Sequence, residues 1–469
     1  MIDCTLTAAL QTPLNAEFER FPCPSVPVVA VAYSGGRDST ALLHALWRLS
    51  ACQGTVGLGP FRILALHVHH GLSLLADHWL DHCQAQCEAW SRTGPSLALR
   101  YVRLIDRPSP GESIEAWARV QRYRALALMA QQEGCHWVLM AHHRQDQAET
   151  FLLQALRGAG PAGLSAMRAR HQDAAGCVWL RPWLNQPRAC LEAYVRAHGL
   201  SFVDDDSNLN PRFARNRLRL SVWPAWIQAF PGAEAALVQA AQRAQEAQAG
   251  LKDLAEIDLH HVAPKGPLLL AAWAALAAHR RANALQAWLA REPGLRVTRP
   301  GLERLLQELL DPLVGPAQWR LDQHLVRRYR GQLMLEPAQP AGQPWPPPAC
   351  SLVVTEPGEF PVPSWGGRLR VFLVESGGLA WAPGMQLILC ARQGGERFQS
   401  QMGRPPRSLK KHFQEAALPP WQRQAPLIYQ GELLLFVPGL GLDARFVAPA
   451  GALQVGLQWE PGTPRSIKT

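Results

Sequence analysis

Lysine is almost missing from this 469-residue chain: five residues (252, 265, 410, 411 and 468) stand against 42 arginines. Ten cysteines are present, but no two form a C-x-x-C pair, so no zinc-ribbon or dithiol signature is read. Cys83 and Cys87, four apart, read as a half-buried helical stripe, and a reducing compartment needs no disulfide framework. Long apolar runs are also missing. The longest, Leu268 to Ala278, has eleven residues, short of the roughly 18 that a membrane span needs. Residues 1–22 show no basic start leading into an apolar stretch, so a cytoplasmic protein with no membrane partner is expected. No Gly-Lys-Ser or Gly-Lys-Thr occurs, which excludes a Walker-type phosphate loop.

What is abundant is arginine and apolar mass. Hydrophobic residues make up 48% and charged residues 18%, enough for real cores and too apolar for global disorder. The length implies two or three domains. Basic residues number 47 against 37 acids, for a net charge of +10 and a pI near 9.3. The excess is 22 over 18 through Phe230 and 25 over 19 after it, so it is not confined to one tail. Arginine forks hold phosphates bidentately and stack on bases, which makes a large polyanion such as RNA a fitting partner.

Residues 28–157 alternate strand and helix. Val28–Ala32 is a short β-branched run, as a strand buried on both faces should be. A Gly-Gly turn and a helix from about Ser39 to Leu49 follow, then strand 63–68, helix 74–92, strand 97–102, helix 113–133, strand 137–141 and helix 145–157. This alternation predicts an α/β fold, a doubly wound parallel sheet with ligands at the carboxyl ends of its strands. Helical patterns continue from Glu234 to about Arg330. Pro337 to Pro348 reads as a semi-rigid extended linker, and short strands with Gly/Pro turns then suggest a small α+β module. Predicted boundaries give domains 1–228, 229–335 (helical) and 366–469 (α+β), with a linker at 336–365.

The chemistry concentrates in Ser34-Gly35-Gly36-Arg37-Asp38-Ser39, directly after a buried strand and opening a helix. Glycines let backbone amides approach phosphates, the helix N-terminus adds its positive dipole end, and the two serines add hydroxyl donors. Asp38 is placed to hold a magnesium ion on those phosphates. Gly439-Leu-Gly441-Leu-Asp443-Ala444 also satisfies G-x-G-x-x-A. However, Pro438 intervenes after the preceding strand and Phe446-Val447 reads as another strand, so this is taken as a turn.

The Ser34–Ser39 turn resembles the SGGxDS loop of the PP-loop (N-type) ATP pyrophosphatases. Neighbouring segments are similar to the tRNA(Ile)-lysidine synthetase branch of that family: His67-Val-His-His-Gly-Leu72, Glu115-Ala-Trp-Ala-Arg119 with Arg122-Tyr123, Ala141-His142-His143 and Asp146-Gln-Ala-Glu-Thr150. Arg157-Gly158, Arg181-Pro182, Asp206-Ser207-Asn208 and Arg215-Asn-Arg-Leu-Arg219 continue the likeness, which returns at 392–426 with Lys410-Lys411 and Pro419–Arg423. The family usually shows two consecutive acids before the Gln of the 145–157 helix. Here the first is Gln145, which removes a charge from the cluster.

The resemblance implies ATP and Mg2+ as cofactors, and free L-lysine and the tRNA(Ile) with a CAU anticodon as partners; a homodimer is left open. It implies nucleotide binding by Ser34, Gly35, Gly36, Arg37, Asp38 and Ser39, with Asp38 as the metal ligand. Arg119 takes the developing charge on the α-phosphate, and Asp38, Arg119 and His142 form the catalytic set. Asp146 and Glu149, three apart on one helix face, suit a cationic amine. Asp146, Glu149 and His142 are the candidates to accept its proton. Arg215, Arg217, Arg219, Lys410 and Lys411 are expected on the RNA. His67 and His69 are read as nucleotide-side or structural rather than zinc ligands. A related enzyme that thiolates tRNA would need a reactive cysteine pair, which is absent. A non-catalytic RNA-binding protein would not need the intact Asp38 and both serines.

Overall fold

The computed structural model describes every residue except 1, 22–25, 52–58, 72, 74, 110, 112–113, 174–175, 205–210, 296, 311–316, 338–345, 450 and 462–469. The chain divides into two compact units, Met1–Leu251 and Lys252–Thr469, and the division falls inside one long helix, Ala233–Val262.

The first unit is built on a six-stranded sheet. Its strands are β1 (Val28–Ala32), β2 (Arg62–His69), β3 (Leu97–Arg103), β4 (Trp137–Leu139), β5 (Arg170–Gln172) and β6 (Val178–Leu180), in the order β3-β2-β1-β4-β6-β5. All neighbours run parallel except β5 on β6. The helices are α1 (Ile2–Arg20), α2 (Arg37–Ala51), α3 (Ala76–Thr93), α4 (Ile114–Gln132), α5 (Arg144–Ala155), the short α6 (Pro161–Leu164) and α7 (Arg188–Ala197). β1 shows why the run must be apolar throughout. Val29 and Val31 pack with Leu6, Leu10, Leu42 and Leu46 on one face, while Val28 and Ala30 pack with Leu126, Met129 and Ala130 on the other. Successive side chains point to opposite faces, and helices cover both.

From β1 the order runs outward through β2 and β3 on one side and through β4 and β6 on the other. β1 and β4, paired through Val31 and Leu139, therefore flank the switch point. The crevice outside their carboxyl ends is where such sheets bind ligands. The turn at 33–38 and the segment 140–146 both open there.

Beyond α7 come α8 (Ala214–Arg217), a π-helical turn (Leu218–Val222) and α9 (Trp223–Ala229). Trp223 packs with Ala148 of α5 and with Val238.

In the second unit, helices Leu270–Ala274, Ala278–Leu289 and Arg299–Leu309 share a core (Trp273, Trp288, Leu305, Val326, Leu333) with an antiparallel four-stranded sheet. The helical pattern expected to reach Arg330 stops at Leu309. Residues 318–321, 324–329 and 332–337 are antiparallel strands, with Val326 and Leu333 fully buried on their inner face. The stretch expected as a linker, 336–365, holds two strands, Cys350–Val354 and Gly358–Val362; its 338–345 part lies outside the described residues. These strands join a five-stranded and a four-stranded sheet that share one core (Leu387, Leu389, Ile428 with Leu369, Val371, Val455). Of the Gly439–Ala444 segment expected as a turn, only its start is one, with Gly439 at φ +81; Gly441–Leu442 is a short strand paired antiparallel with Leu433–Val437. Phe446 ends a 3-10 turn rather than starting a strand.

Candidate active site

The Ser34–Ser39 turn is held by its own hydroxyls. Ser39 Oγ donates to the Gly36 carbonyl (2.9 Å), accepts from the Ser34 backbone N–H (3.2 Å) and meets Ser34 Oγ at 3.0 Å. Thr40 Oγ1 donates to the Gly35 carbonyl. Gly35 has φ +81, and a Cβ there would lie 2.8 Å from Cys83 Sγ and 3.0 Å from Val203 Cγ2. Glycine is therefore required by conformation and by space. Cys83 is the packing floor beneath the turn, and burial pushes its thiol up to about 12. Arg37 turns away from the loop mouth to Glu192 (2.8 Å), with its Nε 3.2 Å from Asp38 Oδ1.

Asp38 is 31% exposed. Its pKa is lowered: burial opposes the charge, but His143 and Arg37 outweigh it. It offers a hard oxygen where the turn meets α2. Among the described residues no group of three or more His, Cys, Asp or Glu side chains gathers to hold a metal. Mg2+ commonly binds through one or two carboxylates, with substrate phosphates and water completing its shell. Asp38 fits an ion delivered in that way.

The histidine that meets Asp38 is His143. It is buried, with Nε2 3.6 Å from Asp38 Oδ2 and 3.5 Å from Asp146 Oδ2. Burial disfavours its charge, yet the two carboxylates raise its pKa. His142 faces elsewhere, with Nδ1 accepting from Arg181 Nε at 3.2 Å. Burial and nearby arginines push His142 down to about 3, against the pull of Asp146. It is a neutral and weak base at physiological pH.

Asp146 and Glu149 come together as the helical spacing implies, and arginines occupy both. Arg219 reaches Glu149 through Nε (2.9 Å) and Nη2 (2.8 Å), and Asp146 Oδ1 through Nη2 (3.2 Å). Arg215 Nε lies 3.3 Å from Glu149 Oε2, and its Nη2 donates to Thr150 Oγ1. Gln145, the residue in place of the family's usual acid, is buried and donates to Glu149 Oε1 at 2.9 Å. Asp146 also accepts the His143 backbone N–H. Burial alone would raise its pKa, but His143, His142 and Arg215 bring it down to about 2.

The expected RNA-facing triplet is thus divided. Arg215 and Arg219 face α5, whereas Arg217 is exposed.

Arg119 is exposed and lies over the Tyr123 ring at 5.3 Å. Two other cations stand deeper. Arg181 donates to Tyr123 Oη (3.1 Å) and to the Arg168 carbonyl. Arg122 has an Nε that is buried without a hydrogen-bond partner, as is Nδ1 of His70. Burial, and Arg122 after it, pushes His70 down to about 4. His67, buried on β2, meets the Tyr33 carbonyl through Nδ1 at 3.0 Å. The sequence points to His142 as the site histidine and gives Arg122 and Arg181 no role, whereas His143 is the one that meets Asp38. The signal for His143 was its place three residues before Asp146, where a helix cap stands. Asp206-Ser207-Asn208 and the side chain of Glu115 lie outside the described residues.

In the second unit Lys410 and Lys411 lie on a short helix, Leu409–Glu415. Leu409 and Phe413 are each 1% exposed in a small core with Phe398 and Leu427. His412 is buried too, its Nε2 2.9 Å from the Phe398 carbonyl. Lys410 and Lys411 are exposed.

Comparison with known proteins follows this geometry. Residues 9–226 match the model of a PP-loop domain, 268–334 a TilS substrate binding domain and 387–459 a TilS substrate C-terminal domain. The chain is 42% identical to the tRNA(Ile)-lysidine synthase of Ralstonia nicotianae, over 93% of each chain. It is 37% identical to that of Chromobacterium violaceum, over 92% of this chain and 95% of the relative. Among solved structures, the U34-tRNA thiolase NcsA of Methanococcus maripaludis is 16% identical with a TM-score of 0.40, covering 47% of this chain and 72% of the other; so slight a likeness supports no argument. With three matched segments in order and full-length relatives at this identity, the chain belongs to the tRNA(Ile)-lysidine synthase family.

Proposed function

We propose that this protein converts the wobble cytidine of a CAU-anticodon tRNA(Ile) to lysidine in two steps. In the first, O2 of the cytidine attacks the α-phosphate of ATP and pyrophosphate leaves. In the second, the ε-amine of free L-lysine attacks C2 of the activated base, AMP leaves and the amine gives up a proton. The observation that carries this reading is His143 standing between Asp38 of the phosphate turn and Asp146 of the carboxylate cluster, within 3.6 Å of each. One histidine joins a pyrophosphate-binding edge to an amine-binding one.

Ser34, Ser39 and the Gly35–Gly36 amides cradle the departing pyrophosphate, with the N-terminus of α2 behind them. Asp38 would hold Mg2+, which supplies charge neutralisation on the phosphates when bound. Arg119, together with the deeper Arg122, supports the charge that develops on the α-phosphate. Asp146 and Glu149 provide the negative field that draws the ammonium of lysine. A free ε-amine has a pKa near ~10.4, so the second step needs a proton acceptor. His142, with Nδ1 already hydrogen-bonded to Arg181, and Asp146, held down to about 2, are both weak bases as they stand. Arg217 and the exposed Lys410 and Lys411 supply phosphate contacts to the tRNA. No helix among the described residues is long and apolar enough to cross a membrane.

The test uses purified protein, ATP, labelled lysine and tRNA. Label must enter only the CAU-anticodon isoleucine tRNA, with AMP release dependent on both substrates. Label in all tRNAs alike, or in none, overturns the proposal.

A further inference from the structure

Glu149 and Asp146 share a helix face, yet the protein treats them differently. Glu149 is 0% exposed and already receives three hydrogen bonds, from Gln145 Nε2 and from Arg219 Nε and Nη2, with Arg215 Nε in ion-pair range. A carboxylate has about four lone-pair positions, so those of Glu149 are filled by the protein itself. Asp146 is 13% exposed and receives two hydrogen bonds, from the His143 N–H and from Arg219 Nη2, with His143 Nε2 in ion-pair range. Of the two, only Asp146 has both access and spare capacity for an incoming amine.

Arg219 links them. It rises from the π-helical turn Leu218–Val222, directly after α8. Such turns are uncommon and recur at functional sites because they re-aim side chains that a regular helix would carry past. Its guanidinium lies with two donors on Glu149 and one edge on Asp146. The two-donor fork on Glu149 is the geometry in which arginine binds a carboxylate most firmly.

We infer that Glu149 is the anchor of Arg219 and not a ligand of the lysine amine, that Gln145 positions Glu149 for this task, and that Asp146 alone meets the amine. Arg219 then acts as the resident counter-ion of Asp146. Lysine need displace only the single Nη2 contact to Asp146, while the fork on Glu149 keeps the guanidinium from closing fully over the carboxylate. Gln145 suits this role better than an acid would. An amide donates to Glu149, whereas a second buried carboxylate at 2.9 Å would repel it. Glu149 and Gln145 are thus positioning residues, acting through Arg219.

The inference rests on the reading of this cluster as the lysine site, and a double-mutant design separates the two. Lysine binding to the full chain is measured by equilibrium dialysis with labelled lysine. Asp146→Asn should weaken it by about tenfold or more, the loss of a charged hydrogen bond. Glu149→Gln releases the fork, lets Arg219 settle on Asp146 and should also weaken lysine binding by roughly tenfold. Adding Arg219→Gln to Glu149→Gln removes the competitor, so affinity should return to within about threefold of the wild type. Gln145→Leu should weaken binding more mildly, again with recovery when combined with Arg219→Gln. A double variant no better than Glu149→Gln means that Glu149 touches the amine and overturns the anchor. Wild-type affinity in Glu149→Gln alone also overturns it, because Arg219 would then not be held by that residue. Wild-type affinity in Asp146→Asn overturns the lysine site itself.

Discussion

His143 Nε2 lies 3.6 Å from Asp38 Oδ2, across the switch point of the sheet. The turn after β1 and the helix after β4 therefore share a titratable group, although Asp38 and His143 stand 105 positions apart in the chain. The carboxylates on either side of His143 are the ones assigned to the two halves of the reaction, one toward pyrophosphate and one toward the amine.

Asp38→Ala should abolish adenylation, lowering AMP release by about 10²–10³-fold or more, the scale at which removal of one preorganised electrostatic group is felt. tRNA affinity should stay near wild type, because Asp38 sits on the phosphate turn. A gel shift beside an AMP-release assay checks this. Equal loss of RNA binding would make Asp38 structural.

Gly35→Ala meets both a left-handed backbone and a Cβ 2.8 Å from Cys83 Sγ. The turn must shift, so ATP-dependent AMP release should fall steeply. Thermal stability should drop by more than the ~1 kcal/mol typical of such backbone changes. Calorimetry would give the stability loss. Adding Cys83→Ala, which clears the nearest atom, should recover part of it. No recovery would place the whole cost in the backbone angle.

Asp146 contributes to stability in acid. Its pKa falls from 3.8 in the unfolded chain to about 2, so the contribution is fully present above pH 3.8 and is lost as the pH falls toward 2. It amounts to about 2 kcal/mol at most. The gap in urea midpoint between wild type and Asp146→Asn should be open at pH 5 and narrow steadily from pH 4 to pH 2. A gap as wide at pH 2 as at pH 5 contradicts the depressed pKa.

Lys410→Ala with Lys411→Ala should weaken tRNA binding and flatten the log–log salt slope by about 1.5–2 units, two phosphate contacts' worth. The fold should hold, since Leu409 and Phe413 keep the helix in its core. Affinity measured from 50 to 300 mM salt decides it. An unchanged slope would make the pair solvated surface only.

The sequence by itself determined the parts of the first unit that depend on local pattern. A continuous apolar strand can only be buried on both faces, so Val28–Ala32 announced a covered parallel sheet. Two glycines with flanking serines at the strand's end announced a phosphate turn. Leu409 and Phe413, four apart, share the buried face of their helix by spacing alone, which leaves Lys410 and Lys411 outside. Around Arg330 the same reasoning failed, because the short strands at 318–337 alternate over too few residues to stand out from a helical pattern.

What only the tertiary structure decided is which charges meet. Adjacent histidines are indistinguishable by spacing, and it took the pairing of β4 with β1 to bring His143 to Asp38 and leave His142 on Arg181. Arg215, Arg217 and Arg219 read as one basic run. A helix sends residues two apart to different faces, so Arg215 and Arg219 fell on the α5 carboxylates and Arg217 on solvent. Whether a carboxylate is filled or open depends on partners 66 and 70 positions away, and no local pattern carries that information.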